Sequence, residues 1–279
     1  MWMDVPSHTP LRDQPERLTA HYRGCTFADI PDEVVAPCHG ATPMPWSHAP
    51  KTHREQLAQY YAAVSFINEQ VGRLLDELDG AGIRRDTLVA YTADHGHMNG
   101  HHGLMGKGNA TVTQDLLEES IRVPSLISWP ATVPAGRVLT HPVDHCDLFC
   151  TLLAAAGTDP DAEIHSPGRS FLPLLRGQAA PWRDAQFCEY GNARMVRTDG
   201  LKLIRRYRGP NGHFSDELYD LAADPRETEN RIRDAAYAGA IADLDARLDA
   251  YFREYEIPDR AGWDIASRLR CNPHKPWLR

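Results

Sequence analysis

The sequence predicts an α/β fold: a layered α/β domain, then a small C-terminal antiparallel sheet with a helix on it. Three observations predict it. Apolar residues recur at helical spacing from Leu57 to Leu78. Two short apolar, β-branched runs follow, at 87–92 and 123–129. Near the C-terminus the chain breaks into short strand-like runs between Gly- or Asn-containing turns and closes on one amphipathic stretch.

In chain order, residues 1–51 carry many prolines and few periodic apolar positions, which reads as loop or extended chain over the surface of something larger. From Thr52 the pattern changes. Leu57, Tyr60, Val64, Ile67, Val71, Leu74 and Leu78 are spaced by three and four, as on one helix face, and Gly80 and Gly82 are stop signals. TLVAYT, 87–92, fits a buried parallel strand, and VPSLISW, 123–129, a second buried strand. A helix at about 144–156 ends near Gly157. Its Cys146 and Cys150, four apart, read as small core residues on one face. The order helix, strand, loop, strand, helix over 52–156 is that of an α/β layered domain. FCEYG, ARMVRTDG, LKLIRRYRG and DELYDL predict the antiparallel sheet. The segment 234–255 predicts a helix with Ile241, Leu244, Leu248 and Phe252 on one face. The last twenty residues read as a loose tail.

Composition narrows the function. At 279 residues the chain is one large domain, or a domain plus a small lobe. A chain of this size buries about 75% of its unfolded surface, so a core is expected. A net charge of −8 argues against a nucleic-acid partner. No stretch approaches the roughly 20 apolar residues of a membrane helix, so no membrane partner is expected. The opening MWMDVPSHTP has neither a basic nor an apolar leader region, so the expected location is the cytoplasm. Six cysteines in this length do not make a disulfide framework.

One stretch carries most of the chemistry. TADHGHMNGHHGLMGKG, Thr92 to Gly108, holds one Asp, four His, five Gly and one Lys. It begins where the first strand ends, and ligands of open α/β sheets sit outside the carboxyl ends of strands. Asp94 and His95 there can hold a divalent metal, with Gly96 letting the backbone turn away. The alternative is that Asp94 caps a turn and His95 packs. Two ligands do not complete a metal site, so others must come from elsewhere. Lys107, between Gly106 and Gly108, is a natural partner for an anionic oxygen near a metal, or else a solvated surface lysine. Of His101 and His102, one is expected to face the site and the other to be exposed. His8, in PSHTP, matters only if the chain brings it to the cluster; otherwise it is a surface histidine.

These motifs, in this order, resemble the second half of a sulfatase of the alkaline phosphatase superfamily. PSHTP resembles the family's Pro-X-His-X-Pro loop, and YYAAVSFINEQVGRLLDEL its Tyr-Tyr-Ala and Val-Gly helix. TLVAYTADHG, GHHGLMGKG and EESIRVPSLISWP resemble the strand, metal loop, sulfate-binding Lys loop and following strand. DLFCTLLAAAG resembles the next helix, with Cys150 where the family commonly has Pro. GRSFLPLLRG and ELYDLAADPRETEN resemble C-terminal landmarks, so the likeness covers roughly 5–255. It implies a partial alkaline-phosphatase-like layered α/β domain over 1–180, a small α+β subdomain over 181–258 and a tail over 259–279. It implies Asp94 and His95 as metal ligands, Lys107 as a catalytic side chain that grips the sulfate, His102 beside the substrate, and His8 near the leaving-group oxygen. The family metal is usually Ca2+; His95 stands where the family often has Asn, and imidazole suits Mn2+ or Zn2+ better. Asp-His at this place also occurs in choline-sulfatase-like and phosphonate-monoester-hydrolase-like relatives.

The resemblance also implies parts that this sequence does not contain. Sulfatases carry an Asp-Asp pair that completes the metal site, and a Cys-X-(Ser/Pro)-X-Arg motif whose Cys becomes formylglycine, the nucleophile. Cys38 is followed by HGAT, and Cys271 begins CNPHK, with Lys where Arg belongs; neither fits. The expectation is a metal-dependent hydrolase of small sulfated esters, present here as a C-terminal portion. It would be inactive alone, with an apolar sheet edge left open and another chain as a candidate source of the missing half. Alternatives are a phosphonate monoester or phosphodiester hydrolase of the same superfamily, a non-catalytic anion-binding scaffold, or a chain that does not fold stably alone.

Overall fold

The computed structural model describes residues 14–28, 30, 53–104, 106–108, 111, 114–158, 165–208 and 212–261. His8, Cys38, Cys271 and nearly all of the expected tail lie outside the described residues. The chain divides into two compact units, Met1–Ala135 and Gly136–Arg279.

In the first unit, α1 (Glu16–Arg23) packs on α2 (His53–Gly80). The irregular reading of 1–51 missed α1. Only Thr19 of this helix is buried, so it lacks the apolar stripe that signals a helix in sequence. Long-range contacts hold it instead: Tyr22 shares a 2.6 Å hydrogen bond with Ser65, Arg23 forks onto Glu55, and Arg17 pairs with Glu69. Beneath them Phe27, Leu57 and Ala58 form a small core, flanked by Tyr22 and Tyr61. The expected helix of 52–80 is present. It stops as its glycines suggest: Gly82 is left-handed at φ +69°, and the N–H groups of Gly82 and Ile83 bond back to Asp79 and Leu78. Along its apolar stripe Leu57 is buried, whereas Val64 and Leu74 remain 45% and 41% exposed.

The strands β1 (Val89–Thr92) and β2 (Ser125–Ser128) both form, but they pair antiparallel, Val89 opposite Ser128 and Thr92 opposite Ser125. Neither is buried, and Leu126 is 65% exposed. The expectation of buried parallel strands is corrected on both counts. An apolar run reports the extended state of its own residues, not the direction or number of its neighbours. Between the strands lies the short helix α3 (Glu118–Ile121).

The second unit opens with α4 (His145–Ala155), whose N-terminus is a capping box: Asp144 accepts from the Asp147 N–H and Asp147 accepts from the Asp144 N–H. Cys150 is buried as expected, but Cys146 is exposed, so only one of the pair is a core residue. After α5 (Leu172–Leu175) come β3 (Ala185–Tyr190), β4 (Ala193–Thr198), β5 (Leu201–Arg206) and β6 (Glu217–Asp220), an antiparallel meander in sequence order. Strand alternation places Val196, Leu203 and Leu218 on one face, where Leu244 and Leu248 of α6 (Ala238–Tyr255) cover them. Arg205 reaches across that face to Asp245 at 2.5 Å.

Buried charge explains the DPRETEN landmark. Asp224 accepts from the N–H groups of Thr228 and Glu229, and Asn230 from those of Leu218 and Ile232. These turns deliver Glu227 to Lys202 at 2.5 Å, with both side chains at most 1% exposed.

Candidate active site

At the end of β1 the chain passes into Asp94 and His95. The His95 Nδ1 lies 2.8 Å from the Gly96 carbonyl, which can only accept, so Nδ1 carries the proton and donates it. Nε2 therefore holds the ring's lone pair, the form in which imidazole binds a cation. The ammonium of Lys107 donates to that nitrogen at 2.7 Å, and Asp94 Oδ2 lies 3.4 Å from it. Asp94 is additionally fixed by the His95 N–H, which donates to Oδ1 at 2.9 Å. The three side chains read from sequence as metal- and anion-binding thus meet around one imidazole nitrogen. Asp94 is 68% exposed and His95 27%, so the cluster is open to solvent on the carboxylate side.

Glycine makes this convergence possible. A Cβ on Gly96 would lie 1.9 Å from the Glu119 carbonyl oxygen and 2.9 Å from that of Arg122. The bare backbone allows the Gly96 N–H to donate to the Ser120 carbonyl at 2.9 Å, which holds the backbone after His95 against α3. Gly96 therefore also serves close approach. Gly106, at φ +111°, turns the loop back, and its carbonyl accepts from the Met98 N–H at 2.7 Å. That tie brings Lys107 beside His95.

The other histidines take different places. His102 is buried and left-handed at φ +54°, and its Nε2 lies 3.7 Å from Glu119. His101, half-buried rather than exposed, lies 3.2 Å from the same carboxylate. Burial pushes Glu119 up, but the nearby His102 and His101 imidazoles hold it below the usual carboxylate range. His102 thus faces Glu119, a residue the sequence reading did not single out. His97 was also passed over. Its ring packs on Tyr60 of α2, with centroids 5.3 Å apart, and its Nδ1 accepts from the Asn99 N–H. Burial, with some help from the nearby Lys107 charge, lowers its pKa. The alternation 95, 97 beside Tyr60-Tyr61 was the available signal.

Asp94 and the Nε2 face of His95 fit two positions of a divalent-metal shell. Among the described residues, no group of three or more His, Cys, Asp or Glu side chains is placed to hold a metal ion.

The sulfatase family model matches residues 6–158, and a model described as N-sulphoglucosamine sulphohydrolase, C-terminal, matches 113–254. An N-acetylglucosamine-6-O-sulfatase of Bacteroides thetaiotaomicron is 30% identical over 74% of this chain and 37% of its own length. A protein solved with its substrate D-glucosamine-2-N,6-O-disulfate aligns at TM-score 0.65 and 30% identity, over 75% of this chain and 43% of that one. The phosphonate monoester hydrolase of Agrobacterium radiobacter aligns at TM-score 0.64 and 27% identity, over 73% and 42%. The chain therefore spans about two fifths of the length of these relatives. The ordered motifs, the α/β architecture and the family match lead to one assignment: this chain belongs to the sulfatase family of the alkaline phosphatase superfamily.

Proposed function

We propose that this chain carries the part of a metal-dependent sulfuric ester hydrolase that grips the anion and supplies two metal ligands. One observation carries the reading: Asp94, His95 and Lys107 meet at the His95 Nε2. In it, Lys107 turns from His95 Nε2 to the sulfate, and Asp94 and the freed lone pair of His95 hold a divalent cation, of which Ca2+ is the family's usual choice and Mn2+ or Zn2+ suits the imidazole. Such an ion, when bound, polarises the ester and its attacking group. Lys107 supplies a point charge for a sulfate oxygen and neutralises charge that builds there during transfer. His8 is proposed to stand near the leaving-group oxygen. His102, braced by Glu119, positions the loop that carries Lys107 and borders the substrate.

The sequence holds no Cys-X-(Ser/Pro)-X-Arg motif, so the formylglycine nucleophile and the remaining metal ligands would have to come from polypeptide outside this chain. Hydrolysis of 4-nitrophenyl sulfate with Ca2+ or Mn2+ tests this. The chain alone is expected to show no turnover, and adding a polypeptide with the Asp-Asp pair and formylglycine motif to restore it. Robust turnover by the chain alone would refute the borrowed-nucleophile reading. A second reading, hydrolysis of phosphonate monoesters or phosphodiesters, is favoured by His95 in the Asp-His pair. Comparing rates on sulfate and phosphonate esters in the completed enzyme decides between them.

A further inference from the structure

A separate cleft of about 310 Å3 lies in the second unit, between the 167–183 segment, β3 and α6. Three guanidinium groups line it, those of Arg169, Arg183 and Arg247, together with the rings of Phe187, Tyr251 and Tyr255. The three cations are held in different ways. Arg183 is locked from behind by Asp144 at 2.7 Å and by Asp147, neither of which lines the cleft. Arg247 donates to Asp184 at 2.6 Å, but that carboxylate is 82% exposed, and a pair in water holds its partner only weakly. Among the described residues no carboxylate pairs with the Arg169 guanidinium. Its backbone is anchored, however, since the Arg169 N–H donates to Asp147 Oδ1 at 2.8 Å. The aromatic wall is built, not incidental: Phe187 and Tyr251 stack at 4.0 Å and 9°, and Tyr255 lies 5.1 Å from Tyr251. Glu254 is the one carboxylate in the lining.

Each feature selects part of a ligand. Guanidinium forks take a carboxylate or sulfate. Ring faces and edges take the apolar C–H face of a sugar, and a single carboxylate accepts from its hydroxyl groups. The volume sits at the small end of ligand pockets. We propose that this cleft binds an anionic monosaccharide, a sugar ring carrying one carboxylate or sulfate group. The proposal is independent of the hydrolase reading, because the cleft includes none of Asp94, His95 and Lys107.

The test titrates glucose, glucuronic acid and glucosamine 6-sulfate into the full chain by calorimetry and saturation-transfer NMR. Both anionic sugars, or one of them, should bind about tenfold tighter than glucose, and the tighter one identifies the substituent. R169A/R247A should abolish that preference, whereas K107M should keep it. Arg169 is exposed and Asp184, the partner of Arg247, is 82% exposed, so the fold should survive. R169E gives a second arm: it should weaken the anionic sugars further and leave glucose unchanged. Equal binding of glucose and the anionic sugars overturns the proposal, as does a preference that persists in R169A/R247A. A preference lost in K107M but kept in R169A/R247A would overturn it while supporting the Lys107 anion site.

Discussion

Replacing Gly96 with alanine tests how the loop after β1 is held. The added Cβ would lie 1.9 Å from the Glu119 carbonyl oxygen, 2.8 Å from its carbon and 2.9 Å from the Arg122 oxygen. Ordinary contact needs roughly 3.4 Å or more, so the loop and α3 must separate by more than about an ångström. All three obstructing atoms are backbone, so no side-chain rotation relieves the clash. The separation also breaks the 2.9 Å hydrogen bond from the Gly96 N–H to Ser120. Overpacking against unyielding neighbours costs typically 1–3 kcal/mol, and the lost bond about 1 kcal/mol more. A loss of about 3 kcal/mol corresponds to a melting temperature lowered by roughly 6–12 °C for a unit of this size. Thermal unfolding by circular dichroism gives the shift, and histidine NMR reports whether Nε2 of His95 still accepts from Lys107. A variant that melts within about a degree of the parent, with the His95 signal unmoved, would refute the close-approach argument.

Other consequences are read the same way. K202M removes the cation paired with Glu227 in a site at most 1% exposed, and breaking such a pair costs about 3–5 kcal/mol by chemical denaturation. K202M/E227L should cost clearly less than the two single changes summed, and additivity would show that the two groups are not coupled. Glu119 has a folded pKa below its unfolded value, so its contribution is full at neutral pH and is lost as pH falls through the depressed value. E119Q should therefore flatten the acid limb of the stability curve, and an unchanged limb would exclude the histidine brace.

What could be read from sequence divides by the range of the forces involved. Local signals served well. The spacing of α2, the glycines that end it, the extent of α4 and the short strand runs of β3–β6 all depend on neighbours within a few residues. The clustering of Asp94, His95 and Lys107 follows a local pattern too, a strand end followed by charged and glycine residues. Partner choice was not. The direction of β1 against β2 is set by pairing across the whole loop between them, and α1 is held by residues of α2 more than thirty positions away. The roles of Glu119 and His97 depend on how the loop folds back, which the dihedrals of Gly106 and His102 decide. The Arg169–Arg247 cleft carries no motif at all, since its cations come from separate elements.

The proposal that Asp94, His95 and Lys107 form one anion-binding point is tested most directly by titrating sulfate while observing the His95 imidazole nitrogens by NMR. Sulfate should draw the Lys107 ammonium away from Nε2 and shift that resonance in the parent chain, with no such response in K107M. A resonance that ignores sulfate in the parent, or shifts equally in K107M, would contradict the account.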